Sequence, residues 1–205
     1  MKKDLRILFQ ALLLCGLLGT LFFMSRRNRL VVENSGFRLI MGTLAQITAV
    51  SDDPACARRC IELAFDAIEM IQQTMNDRDE NSELSKLNAT AFEQEVKVSS
   101  ELFTVLQAAK EYSILSGGAF DVTIGPEVQL WRTMQQTGTP PVPEQIEQAR
   151  FCVGYEKMIL NPEAQTVQFE LAGMRLDLGG IAKGYAIDLA IEAMKQNGAM
   201  GGMVD

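Results

Sequence analysis

The stretch from Val167 to Asp188 constrains this chain more than any other. Val167, Phe169 and Leu171 alternate with polar residues, Ala172-Gly173 interrupts them, and Met174, Leu176 and Leu178 resume the alternation. After Gly179-Gly180 the apolar residues change to helical spacing and keep it to about Asn197, with Gly198 placed to end the helix. A chain whose period switches from two to 3.6 across a glycine pair must cover a sheet with a helix, so neither an all-helical nor an all-β fold suits it. The spacing predicts a hairpin of 167–171 with 174–178, with Glu170 facing Arg175 across the strands.

The rest of the chain fits a mixed α+β reading. Leu30 to Gly36 reads as a tether and Phe37–Val50 as extended, with Ala45, Ile47 and Ala49 on one face and Gly42 at a bend or a close backbone approach. Asp53-Pro54 opens a helix whose apolar stripe runs to Met75. A polar loop, 76–81, precedes a short helix ending at Asn88. Ser100 is placed to cap a helix that ends at Gly117-Gly118, another helix is expected near 144–149, and 200–205 begins a further strand. That last segment stops as it starts, which reads as a truncated chain.

Charge and cysteine content narrow the function. The net charge is −7, but residues 1–30 hold six basic side chains and one acid, so the remainder carries about −12. A body that acidic repels phosphate backbones, and nucleic acid is not an expected partner. Histidine is absent, which removes His-based triads and His–zinc sites. Ile7–Met24 is an apolar run with no small-x-small cleavage site after it. It reads as an uncleaved membrane anchor, a signal cleaved or lipidated at Cys15 being the alternative. Basic residues on both sides leave its orientation open. Cys56 and Cys60 share a helical turn and read as small buried hydrophobes, and Cys152 is expected in a strand.

Generic motifs fail in turn. Asp77-x-Asp79-x-Asn81 opens like a calcium loop but has Ser82 where glycine is needed and Asn88 where glutamate is needed. Residues 179–184 fit neither a Walker A loop nor a GxGxxG turn. What remains is Leu176-Asp177-Leu178-Gly179-Gly180-Ile181-Ala182-Lys183-Gly184-Tyr185, a strand, a glycine turn and a helix start. A helix N-terminus favours an anion, two glycines allow close approach, and Lys183 adds positive charge. The plainer alternative is a tight βα turn with Lys183 solvated and Asp177 on a polar strand face.

Four segments together resemble the FAD-dependent protein flavinyltransferases of the ApbE type. They are Met41-Gly42-Thr43, expected on the first strand; 79–88 with its Ser82-Glu83-Leu84-Ser85-Lys86-Leu87-Asn88 core; 117–126 (Gly-Gly-Ala-Phe-Asp-Val-Thr-Ile-Gly-Pro) followed by Leu130-Trp131; and 176–188. The resemblance covers about residues 36–205. It implies a mixed α/β sandwich of the flavin transferase (T-fold-like) type, residues 31–205 being its N-terminal part behind an anchor in residues 1–30. It implies an FAD site at Met41, Arg78, Ala119, Phe120, Asp121, Asp177 and Lys183, with the Gly180 carbonyl offered to Mg²⁺. Arg78 departs from the aromatic residue often found there, and a solvated loop charge is its alternative. Asp121 suits a flavin or adenine edge, or else an Asx-turn. The family continues past the equivalent of Asp205 with a His-containing segment and then an Asp-Pro-x-Thr-Gly motif, the latter supplying side-chain metal ligands. The activity implied is transfer of FMN from FAD to a Thr or Ser hydroxyl of an acceptor protein, with release of AMP. The implied location is the inner (cytoplasmic) membrane with the body on the periplasmic or extracytoplasmic side. A non-catalytic flavin-binding remnant and an anchored domain without a ligand are the other two readings.

Overall fold

The computed structural model describes residues 30–205; the apolar run 7–24 and Cys15 lie outside them. No helix among the described residues is long and apolar enough to cross a membrane. The chain divides into two compact units. One holds the described residues up to Arg38, with 44–64 and 191–205; the other holds 39–43 and 65–190.

In the first unit, strands β1 (Val31–Ile40), β2 (Thr43–Ser51) and β6 (Gly201–Val204) form a sheet in the order β1-β2-β6. β2 and β6 are antiparallel, with Ile47 opposite Val204 and Val50 opposite Gly201. Ala45, Ile47 and Ala49 are buried, as their alternation predicts. The single extended segment expected over 37–50 is instead two strands, the first of which takes in most of the supposed tether. Met41 (φ 50) and Gly42 (φ 73) both adopt the left-handed backbone that a two-residue type I′ turn requires. Nothing would lie within 4 Å of a Cβ on Gly42, so that glycine serves the bend rather than a close approach.

Helix α1 (Pro54–Met75) starts where the sequence indicates. The Asp53 carboxylate accepts from the N–H groups of Ala55 and Cys56 at 3.2 and 3.3 Å, satisfying donors that a helix start leaves without partners. Ala57, Cys60, Ile61 and Ala64 bury its inward stripe. Cys60 and the half-buried Cys56 each donate to the Asn197 carbonyl at 3.4 Å. Burial pushes the Cys60 thiol up, and Cys56 beside it adds to the rise. Both act as packing residues, and no group of three or more His, Cys, Asp or Glu able to hold a metal occurs among the described residues.

The second unit takes α1 from Phe65 onward and adds α2 (Glu83–Thr90), β3 (Val96–Lys97), α3 (Ser100–Leu115), α4 (Gly125–Thr137), α5 (Pro143–Phe151), β4 (Met158–Asn161), β5 (Thr166–Phe169) and the first part of α6 (Ala182–Gln196). Ser99 rather than Ser100 caps α3, accepting from Leu102 N at 3.3 Å. Ser99 is itself held by Glu83, which accepts from its N–H (2.5 Å) and its hydroxyl (2.6 Å). Cys152 ends α5 and is not in a strand.

The expected hairpin of 167–171 with 174–178 does not form. β5 pairs with β4, Phe169 opposite Met158, and with β3, Val167 opposite Val96, in an antiparallel sheet ordered β3-β5-β4. Residues 174–178 remain extended but turn to other partners. Arg175 bridges Ile124 in parallel, its carbonyl accepting from Gly125 N at 3.1 Å, and Asp177 N donates to Val122 O at 2.8 Å. Glu170 and Arg175 therefore make no ion pair among the described residues; the Arg175 guanidinium donates to the Asp77 carbonyl at 3.1 Å. Alternation fixes which side chains go inside, and Met174, Leu176 and Leu178 are buried as it indicates. It does not choose the neighbour. For Leu176 the neighbour is a side chain: Asn88 accepts from Leu176 N at 2.8 Å and donates to Leu176 O at 3.0 Å.

Candidate functional site

A cavity of about 450 Å³ opens in the second unit, within the range of small-molecule sites. Three walls come from segments already described. Met41 and Gly42 of the type I′ turn form one, and the end of α1 with the following loop (Gln72, Met75, Asn76, Asp77, Arg78) forms another. Asp177, Leu178 and Gly179 at the glycine turn, with Ala182 and Lys183 in the first turn of α6, form the third. Arg132 of α4 reaches in as the fourth. Met41 is not on a strand as expected: it sits in the turn with φ near 50, and its N–H donates to Gln72 Oε1 at 2.5 Å. A methionine in that backbone region is strained, and the bond to Gln72 helps hold it there.

The glycine turn is built as the sequence suggests. Asp177 Oδ1 accepts from Gly179 N at 2.8 Å, and the N–H groups of Ile181 and Ala182 close onto the Leu178 carbonyl at 3.0 and 2.8 Å. The first turn of α6 therefore faces the cavity with exposed Lys183 upon it, where helix dipole and ammonium charge add. Asp177 Oδ2 accepts from Arg132 at 2.7 Å, and Arg132 also bonds the Asp77 carboxylate. All three are largely buried, with side-chain exposures of 22% for Arg132, 12% for Asp77 and 14% for Asp177. Burial alone would lower the Arg132 pKa; the hydrogen bonds and charges of Asp77 and Asp177 outweigh it and hold the guanidinium above its ordinary range.

Of the residues singled out from the sequence, Met41, Arg78, Asp177 and Lys183 line this one cavity. Phe120 and Gly180 line a neighbouring open groove with Tyr112, Leu115, Ser116 and Ile181, where Tyr112 meets Phe120 edge-on at 6.5 Å. Ala119 and Asp121 line neither. Asp121 forms the Asx-turn: Oδ1 accepts from Thr123 N (2.8 Å) and its hydroxyl (2.7 Å), and Oδ2 from Tyr155 N (2.9 Å). In this state it positions backbone, with both oxygens occupied. Arg132, Asp77 and Gln72 were not identified from the sequence. Asp77 stands in the sequence only as the start of a failed calcium loop and Arg132 only as a charge beside Trp131, and nothing in linear order pairs Arg132 with Asp77 or Asp177.

Mg²⁺ takes six oxygen ligands in near-octahedral geometry. The described residues offer the Gly180 carbonyl and two carboxylates already bonded to Arg132, with no cluster of three acidic, Cys or His side chains. That donor set does not by itself form a magnesium cage.

The ApbE family model matches residues 41–205. The FAD:protein FMN transferase of Treponema pallidum is 29% identical over 181 residues, covering 85% of this chain and 50% of that protein. That of Haemophilus influenzae is 31% identical over 174 residues, covering 80% and 50%. Among solved structures, the flavin transferase ApbE from Vibrio cholerae matches with a TM-score of 0.75 at 25% identity, over 86% of this chain and 57% of that one. The chain spans about half the length of the curated relatives it matches. The family match begins at the Met41 turn and takes in every wall of the cavity, and the α+β arrangement agrees with the solved ApbE fold. On these grounds the chain belongs to the ApbE family.

Proposed function

We propose that this chain carries the FAD-holding part of an FAD:protein FMN transferase. In that reaction the oxygen of an acceptor Thr or Ser attacks the flavin-side phosphorus of FAD. The pyrophosphate bridge breaks, AMP leaves with the bridging oxygen, and the hydroxyl proton is released. The observation that supports this best is the convergence of Met41, Arg78, Asp177 and Lys183, from three distant segments, on one cavity whose floor is a glycine turn and a helix N-terminus. Magnesium belongs to the same proposal, with ligands beyond the Gly180 carbonyl drawn from phosphate and water.

The first test is binding. FAD should quench in flavin fluorescence on titration with the protein, and Lys183→Ala or Asp177→Ala should each weaken binding roughly 5- to 100-fold. Lys86→Ala, an exposed lysine on α2 away from both cavities, serves as the control. Unchanged affinity in both site variants would return the turn to a purely structural role. Transfer is read separately, as AMP released from FAD in the presence of Mg²⁺ and a Thr-bearing acceptor; binding without release would favour the non-catalytic reading.

We further propose that Ile7–Met24 anchors the protein uncleaved in the inner membrane with the body outside the cytoplasm, acting on exported or membrane-bound acceptors. Alkaline phosphatase fused after Asp205 should then be active in intact cells. An inactive phosphatase with a fluorescent green-protein fusion in its place would reverse the orientation.

A further inference from the structure

Asp77, Arg132 and Asp177 form a three-membered ionic cluster on the cavity wall, with Arg132 between the two acids. Two carboxylates on the wall of a site are a poor surface for a ligand bearing phosphates, since like charges in a largely buried setting repel strongly. Arg132 is the group that changes this. Its guanidinium uses one N–H on each carboxylate, and its three remaining N–H groups have no partner among the described residues. Lys183 and Arg78, the other cations of the cavity, are exposed and pair with neither acid.

We infer that Arg132 is the residue that makes this cavity selective for a phosphate-bearing ligand. It does so by neutralising the Asp77–Asp177 wall and by fixing the Asp177 carboxylate in the orientation in which Oδ1 holds Gly179. The inference rests on the reading of the cavity as an FAD site and adds the determinant of its selectivity. Arg132 acts here through the two acids and is a positioning residue. Its effect should therefore depend on the ligand's charge, which a merely structural role would not produce.

The test compares FAD with riboflavin, which has the same ring system and no phosphate, by fluorescence titration of the parent, Arg132→Gln, and Arg132→Gln combined with Asp77→Asn. Arg132→Gln should weaken FAD roughly 10- to 100-fold, leaving two unpaired carboxylates facing the phosphates. Riboflavin affinity should change less than about 3-fold, because only rim-type interactions are altered for it. Removing one of the stranded charges with Asp77→Asn should restore most of the FAD affinity, and added salt should narrow the gap between parent and single variant. Equal losses for both flavins, or no rescue by the double variant, would overturn the inference. A thermal melt of each variant without ligand shows whether the fold survives; if Arg132→Gln does not fold, Arg132→Lys with the same two flavins decides, since it keeps the charge and should keep the selectivity. Should the parent fail to bind FAD, the reading of the cavity as an FAD site falls. Inorganic pyrophosphate then decides the role of Arg132, weakened by Arg132→Gln and rescued by Asp77→Asn if the inference holds and indifferent to both if it does not.

Discussion

Gly125→Ala is expected to lower the unfolding free energy by about 2–3 kcal/mol, at the upper end for an overpacked site. A Cβ on Gly125 would stand 2.5 Å from the Arg175 carbonyl oxygen and 2.8 Å from its carbon. The obstacle is main chain, and it is the same carbonyl that Gly125 N bonds at 3.1 Å, so it cannot withdraw without breaking that bond. The sign is informative. Gly125 opens α4 with an ordinary backbone angle, and in a helix alanine is better than glycine by about 1 kcal/mol. Without the close approach the substitution would stabilise. Urea denaturation of the parent and variant, compared at equal m, reads the difference; a midpoint unchanged or raised would mean that residues 122–125 and 175–177 are not joined as described.

Asn88→Ala is expected to cost about 2–4 kcal/mol, because it strands two buried backbone groups at once. Leu176 is fully buried, and its N–H and carbonyl both find their partners on the Asn88 amide. An alanine offers neither, and water has no ready access. The same variant should loosen Asp177, the next residue, and, with the cavity read as the proposed FAD site, weaken FAD binding beyond what the stability loss explains. Denaturation for the first effect and flavin titration well below the melting temperature for the second keep the two apart. A loss under about 0.5 kcal/mol would show that another group takes over from the amide.

What could be read from the sequence divides along physical lines. Asp53, the α1 stripe, the 179–180 turn, the start of α6 and Gly198 at its end all depend on neighbours within a few residues, and all stand where the pattern put them. Leu176 illustrates the limit. Its alternation with Met174 and Leu178 said that it would be buried, which it is, but its hydrogen-bond partner is an asparagine on α2, which no local rule names. The two-residue turn at Met41-Gly42 was hidden for another reason: type I′ turns usually announce themselves with Asn-Gly or Asp-Gly, and methionine gives no such signal. Met41, Arg78, Asp177 and Lys183 were recoverable through the family resemblance. Arg132 was not, since its role exists only once α4, the loop after α1 and the glycine turn have met.

That meeting has a consequence for the order of events in folding. The cavity takes one wall from Met41 and another from residues 177–183, near opposite ends of the second unit's sequence. Contacts so far apart along the chain are the slow ones, because loop closure must be completed before they return any free energy. Helices such as α1 and α3 can form early, yet on the proposed reading of the cavity a chain still emerging during synthesis has no place for a flavin until its last third has arrived. Acquisition of FAD in a refolding experiment would accordingly follow the far-ultraviolet signal in time, making the ligand a clock for chain closure.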